Sequence, residues 1–438
     1  MLVYDYYVSA IRRIWGVNMM SSSSVRYYTA RIGILLIVFA LAGGMVGCDG
    51  NPTQLGEIRT WYDLDDIRDN MGGSYVLVND LDSTTRGYAQ LAGPTADGGE
   101  GWQPIGTSNY PLNDPFTGTF DGQGYKIRDL FISRPDESTV GLFGYVGEGG
   151  HIEDIGVVSA DVTGNSWVGG LVGVNEATIS NSYFSGSVTG DSVVGGLVGR
   201  NDYTVSNSYS SGGVSGFDAI GGLVGENRGT VSDSYSSGNV TGDNQYVGGL
   251  VGELSMGIVR DSYASGNVTG YTVVGGLVGS TWVGTVNRCY STGSVTGVSN
   301  VGGLAGANVQ STVSKSYSSA NVTGTVRVGG LVGRNGGDGF HGTVSYSYST
   351  GSVTGAVDVG GLVGWNDGSV SNSFWDMETS GQTASAGGTG RTTAEMMSIG
   401  IFSEALWNII AVALNETNPA YTWNIVNNVT YPFLGWQL

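Results

Sequence analysis

Residues 220–242 read Ile-Gly-Gly-Leu-Val-Gly-Glu-Asn-Arg-Gly-Thr-Val-Ser-Asp-Ser-Tyr-Ser-Ser-Gly-Asn-Val-Thr-Gly. The same sentence starts at Val168, Val194, Ile220, Val247, Val274, Val301, Val328 and Val359. Successive starts are 26, 26, 27, 27, 27, 27 and 31 residues apart, and a weaker copy, Val140-Gly-Leu-Phe-Gly, opens 28 residues before the first. Self-similarity at such a period is the mark of a stacked-repeat architecture.

Each unit holds three short apolar bursts: Gly-Gly-Leu-Val-Gly, Thr-Val-Ser-x-Ser-Tyr and Val-Thr-Gly. Val, Thr and Tyr favour strands, and the bursts are too short for helices. Three strands and three corners per 26 or 27 residues predict one coil of a parallel β-solenoid. Coils stack at strand spacing, roughly 4.8 Å, so eight of them make a rod of about 40 Å before caps. A single coil cannot bury its own face; stability comes from stacking neighbours.

Stacking turns equivalent positions into columns. Leu171, Leu197, Leu223, Leu250, Leu277, Leu304, Leu331 and Leu362 form one inward column, and Val188 to Val353 another. Tyr183, Tyr209, Tyr235, Tyr263, Tyr290, Tyr317, Tyr348 and finally Phe374 form an aromatic column, expected to be outward or half-buried. Asn175, Asn201, Asn227, Asn308, Asn335 and Asn366 recur where an amide can bond its own turn or the Asn of the next coil. The paired glycines imply positive φ or close backbone approach. The slot of Asn181 also holds Asp233, Asp261, Arg288 and Lys315; a position taking both charge signs should face water. The next slot is Ser in seven units and Cys289 in the eighth, which predicts a buried free thiol.

Of 438 residues, 77 are Gly and only 13% are charged, yet the net charge is −19. An acidic surface of hydroxyls and amides with no basic patch argues against nucleic acid and anionic lipid as partners. It suits an extracytoplasmic protein, although acidity can also serve solubility alone. Two cysteines give no disulfide framework.

At the amino end, Arg26 and Arg31 precede the apolar run Ile32 to Ala42, followed by Gly43-Gly-Met-Val-Gly-Cys48. A basic stretch, a short apolar run and small residues before a cut describe a secretory signal over residues 1–47, with translation starting at Met1, Met19 or Met20. The run is short for a membrane span. Cys48 after Gly47 resembles the lipobox of prokaryotic lipoproteins, although Met45 stands where Leu is usual. That resemblance implies lipidation at Cys48 and membrane association through the lipid alone; ordinary secretion and a retained anchor are the alternatives.

Residues 48–139 read as an amino-terminal cap with the first strands. Thr60-Trp-Tyr-Asp63 is a capping box for a short helix, and Tyr75 to Leu81 a strand. Asp63, Asp65, Asp66 and Asp69 lack the Gly and Glu of an EF-hand loop and read as a solvated face. Phe116-Thr-Gly-Thr-Phe-Asp-Gly-Gln-Gly-Tyr-Lys-Ile has strand, Asp-Gly turn, strand form. Residues 140–375 are the repeat solenoid. Residues 376–438 read as a carboxy-terminal cap: a loop over Thr379–Arg391, short helices at Thr393 and Ser403, and strands at Tyr421 and Val429 that cover the last coil.

The Gly-Gly-Leu-Val-Gly units resemble the GLUG motif. Trp102-Gln-Pro-Ile-Gly, Phe120-Asp-Gly-Gln-Gly and the ending Ser373-Phe-Trp-Asp-Met-Glu-Thr-Ser-Gly-Gln-Thr resemble the segments that flank such repeats. The likeness spans about residues 55–438. It implies an all-β fold, a right-handed parallel β-helix of about nine coils with caps at both ends, on adhesin-like or haemagglutinin-like surface proteins of prokaryotes. GLUG repeats also accompany an immunoglobulin-cleaving metallopeptidase, but its His-Glu-x-x-His zinc site is absent from this sequence.

No Cys-x-x-Cys, Gly-x-Ser-x-Gly or Walker element occurs, so no cofactor, metal site or catalytic residue is expected. The two histidines are His151 and His341, the second in the insertion Asn335-Gly-Gly-Asp-Gly-Phe-His-Gly that accounts for the 31-residue spacing. Solenoid insertions often carry binding function. The candidate binding residues are Tyr209, Tyr235 and Tyr263, for stacking on sugars, and the row Asp233, Asp261, Arg288, Lys315. The expected function is adhesion or binding by a monomeric, lipid-anchored surface rod whose ligand is a polysaccharide or a surface partner. A polysaccharide lyase or hydrolase acting through that row, and a passive spacer, are the alternatives.

Overall fold

Each repeat closes into one coil whose strands pair in parallel with the equivalent strands of the coils before and after it. The computed structural model describes residues 55–109 and 112–437. Cys48 and the proposed signal lie outside the described residues. Register is set by the repeat itself. Val198 pairs with Val224, Thr204 with Thr230, and Tyr209 with Tyr235. The sheet of Val-Gly-x-Asn strands has nine members, from Phe143–Val146 to Val363–Asn366, so the rod has nine coils. The chain folds as the expected parallel β-solenoid. The Thr-Val-Ser sheet has twelve strands and reaches back to Gly56–Ile58. Parallel pairing therefore begins well before the first clear repeat.

The core is a stack of side-chain columns. The Leu171 and Val188 columns are buried throughout, as are Val172, Ile179 and their equivalents except Val370 of the last coil, which is half-buried. Burying one such side chain contributes roughly 1.5–3 kcal/mol, and stacking repeats it every coil. The position after the tyrosine is small inside the rod, Ser210, Ser236, Ala264, Ser291, Ser318 and Ser349. At the first and last coils of the column it is aromatic, Phe184 and Trp375. Trp375 thus closes the last coil, while beyond Phe184 the column continues into buried Val157 and Ile127.

The glycines of Gly-Gly-Leu-Val-Gly are required by close approach, not by positive φ. A Cβ on Gly222 would stand 2.1 Å from the Gly249 carbonyl oxygen and 2.3 Å from Ser236 Oγ. The left-handed corners are made instead by ordinary residues. Trp167, Val193, Ala219, Tyr246, Val273, Asn300, Arg327 and Asp358 all have φ between 52° and 60°. Asn181 and its seven equivalents have φ between 46° and 55°. For β-branched Val193 and Val273 this conformation is strained by about 1–2 kcal/mol and is held by the surrounding coils.

The amino-terminal segment packs Trp61 against Trp102, with ring centroids 5.8 Å apart. Thr60 caps the helix Trp61–Asp65 through the expected box with Asp63. Trp102 Nε1 donates to the Leu142 carbonyl at 3.0 Å, tying this cap to the first Val-Gly-x-Asn coil. The Asp-Gly turn after Phe120 does not close a hairpin. Its flanking strands, Thr119–Asp121 and Lys126–Arg128, join two different sheets, each in parallel. The turn is a coil corner.

The carboxy-terminal segment divides in two, unlike the single lid expected. Residues 382–391 cross the open end of the last coil. Ser385 Oγ accepts from the Val363 amide at 2.9 Å, and Thr389–Arg391 pairs with Phe374–Asp376. The remainder folds back along the side of the rod. Its strands Ile409–Ala411, Trp423–Ile425 and Phe433–Leu434 bury Trp407 and Trp423 against Tyr348 and Phe374, with Tyr290 and Tyr317 packed alongside. Among the described residues, no helix is long and apolar enough to cross a membrane.

Candidate functional site

The tyrosine column is a true ladder. From Tyr183 to Tyr348 successive rings are stacked at 4.8–5.0 Å with planes within 7° of parallel. The residues are half-buried up to Tyr317, and Tyr348 is buried. This geometry corrects the sugar-stacking role expected of Tyr209, Tyr235 and Tyr263. Both faces of each ring are covered by its neighbours, so only edges and hydroxyls reach solvent. The asparagine column is likewise internal. Asn175, Asn201, Asn227, Asn308 and Asn335 are fully buried, and their amides bond from coil to coil at 2.6–2.7 Å. Leu254 and Thr281 interrupt the ladder, and there Asn227 turns to the Gly229 and Ile258 carbonyls.

Asp233, Asp261, Arg288 and Lys315 do sit on one corner of successive coils. The slot is not uniformly exposed, however. Asp261 is only 6% exposed because Arg288 meets it at 2.5 Å and Arg260 at 3.1 Å. Arg260 also lies 3.6 Å from Asp233. The sequence row omitted Arg260, which completes a charge-balanced cluster. Cys289 is buried and free as expected. Its thiol donates to the Asn287 carbonyl at 3.3 Å, and burial pushes its pKa to about 12.

A different surface has the form of a site. The chain bends at Gly-Gly-Leu, and the glycine of each Val-Gly-x-Asn strand packs against the left-handed residue of the preceding coil. A Cβ on Gly279 would lie 2.6 Å from the Tyr246 carbonyl carbon. Two columns therefore line one concave groove. One holds the left-handed residues, the other the x slots Val174, Arg200, Glu226, Glu253, Ser280, Ala307, Arg334 and Trp365, which are register partners in series.

Corner length decorates one rim of this groove. Two residues separate Asn227 from Thr230, but three separate Leu254 from Ile258 and Thr281 from Thr285, and seven follow Asn335. The added residues bring an apolar set to the surface: Met256, Ile258, Trp282, Val283 and Phe340 are 40–67% exposed. Trp282 and Phe340 meet edge to face at 4.9 Å. With Tyr246 and Arg334 they wall a cavity of about 230 Å³ floored by Ser280 and Ala307. His341 is exposed on the same insertion.

Further along, Arg334 and Arg327 lie over Trp365 at 5.8 and 5.1 Å. Toward the amino end the groove is charged and paired. Arg200 meets Asp202 at 2.8 Å, and Arg228 meets Glu226 at 2.7 Å. Glu253 has no such cation. Burial first, then Glu226 and Asp218, hold its carboxyl above the usual range. Asp218 is raised by its own burial. Sequence reading missed this groove. The signals were the repeated Val-Gly-Glu at 226 and 253 and the growing corners. Among the described residues, no group of His, Cys, Asp and Glu is arranged to hold a metal.

Residues 164–189, 218–241, 243–269 and 324–354 match the family described as the GLUG motif. The chain carries GLUG repeats. A "Putative Gly-rich membrane protein" of Evansella cellulosilytica is 36% identical over 170 residues, 36% of this chain and 18% of that protein. "Halomucin" of Haloquadratum walsbyi is 32% identical over 140 residues, 32% of this chain and 1% of that protein. The chain thus spans less than a fifth of either relative. A "putative immunoglobulin A1 protease" of Bacteroides ovatus is similar in structure, with TM-score 0.39 and 17% identity, over 89% of this chain and 94% of that one.

Proposed function

We propose that this GLUG-repeat solenoid is a surface-displayed binding rod whose groove holds a polysaccharide chain. The observation that carries the reading is the pairing of exposed Trp282 and Phe340 over a floor of Ser280 and Ala307, opposite Tyr246. Aromatic walls suit the apolar faces of sugar rings, and small floor residues leave room for them. An exposed apolar strip on so polar a protein supports a binding role. The names of the two relatives, one a membrane protein, favour display on the cell envelope. Lipidation at Cys48 would supply the anchor. Covered ends favour a monomer.

The test passes the full chain over immobilised polysaccharides and records retention and released sugar. Retention without release, lost in Trp282→Ala and Phe340→Ala, is the expected result. Retention unchanged in both variants would remove the groove as the site. A second reading, cleavage of the bound chain, draws on the register partners Glu226 and Glu253, of which only Glu226 has an arginine beside it. Sugar release abolished by Glu253→Gln would favour it. Cys48→Ser tests the anchor: loss of membrane association is expected.

A further inference from the structure

We infer that the cleft between the carboxy-terminal segment and the tyrosine ladder is a second, separate site that takes the ring of a neutral sugar. The cleft has a volume of about 500 Å³, within the range of small-molecule sites. Its inner wall is the edges of Tyr263 and Tyr290, whose faces are taken up by the ladder. Trp436 stands against both at 6.5 and 5.8 Å, tilted by about 30°, so it spans two rungs without joining the stack. Phe433 continues the aromatic wall.

The polar side of the cleft supplies matched partners. Asn415, Glu416 and Thr430 line it with an amide, a carboxylate and a hydroxyl. The indole Nε1 of Trp436 is buried and has no partner among the described residues. That N–H has no open surface toward the cleft, so what Trp436 offers a ligand is its ring. No Lys, Arg or His is among the described lining residues, so an anionic sugar finds no counter-charge. Aromatic rings beside amide, hydroxyl and carboxylate groups are the chemistry of a neutral polyhydroxylated ring. The site lies on the sheet of the tyrosine strands, whereas Trp282 ends a strand of the Val-Gly-x-Asn sheet, and it does not depend on the groove.

The test titrates the full chain with D-glucose, D-galactose and N-acetyl-D-glucosamine, with D-galacturonate and choline as charged probes, by calorimetry. Saturable binding of at least one neutral sugar is expected. Trp436→Ala, which removes the ring from the cleft wall, should weaken it about tenfold, the worth of one aromatic contact. Glu416→Ala, at an exposed position, should weaken it too, while Trp282→Ala should leave it unchanged. No saturable neutral sugar, unchanged affinity in both cleft variants, or tighter binding of galacturonate or choline would each overturn the inference. Failure of the groove variants on polysaccharide would leave this result standing.

Discussion

Glu226 and Glu253 are register partners on consecutive coils, and only Glu226 has an arginine beside it, Arg228 at 2.7 Å. Like charges directly opposite on neighbouring strands repel. For Glu253 burial is the larger cost and the Glu226 charge the smaller, and its carboxyl is raised in the folded state. A raised carboxyl means that the folded chain holds the proton more tightly than the unfolded one. Below the ordinary glutamate range both states are protonated and nothing is lost. As pH rises above that range, the folded state must ionise Glu253 against the penalty, and stability falls.

Glu253→Gln should therefore match the natural chain in melting temperature near pH 4 and exceed it at pH 7. The gain is roughly 0.5 kcal/mol, because partial exposure screens the interaction. Thermal melts of both proteins across that range check the sign. A larger advantage at pH 4 than at pH 7 would show that Glu253 is not the penalised group.

Cys289 occupies a slot that serine fills in the seven other clear repeats. There the serine hydroxyl donates two residues back, as Ser262 does to the Arg260 carbonyl at 2.7 Å. The Cys289 thiol makes the same contact with Asn287 at 3.3 Å. Cys289→Ser should change stability by less than about 1 kcal/mol. With its pKa pushed to about 12 and no exposure, the thiol should not react with a disulfide reagent at pH 8 until the rod unfolds. Labelling kinetics in a Cys48→Ser background, with and without denaturant, separates the two states.

The asparagine ladder is a buried chain of amide bonds, so a single deletion leaves two partners unmet. Asn201 donates to Asn227 and accepts from Asn175, each at 2.7 Å. Asn201→Ala should cost about 2–4 kcal/mol, since each stranded buried group costs about 1–3. Asn366→Ala, at the end of the ladder, should cost less than half as much. Chemical denaturation of the two variants checks the ratio.

These ladders were legible because repetition fixes register: once Tyr209 and Tyr235 are equivalent, parallel stacking makes them neighbours. Facing was less legible. Alternation fails around Asn181 and its equivalents because a left-handed residue there breaks the period of two. The groove was illegible for a related reason. Its left-handed column accepts Trp167, Val193, Asn300 and Asp358 alike, so no residue type announces the bend. Arg260, which balances the Asp233–Asp261 corner, lies one position outside the column read in sequence. The fold-back of the carboxy-terminal segment depends on Trp407 and Trp423 finding Tyr348, a tertiary choice that local pattern does not encode.

The glycine argument gives the most direct test of the packing. Gly222 and Gly213 lie at either side of one repeat boundary, and neither has a left-handed φ. A methyl group on Gly222 would meet the Gly249 carbonyl and Ser236 Oγ, one of them backbone that cannot turn aside. On Gly213 it would meet nothing within 4 Å. Gly213→Ala should therefore be neutral or stabilising by about 0.4–1 kcal/mol through the unfolded chain. Gly222→Ala should destabilise by roughly 1–3 kcal/mol, because two coils must part to admit one carbon. Equal melting temperatures for the two variants would mean that the second glycine of the repeat is not kept for close approach, and that coil spacing at this bend is soft.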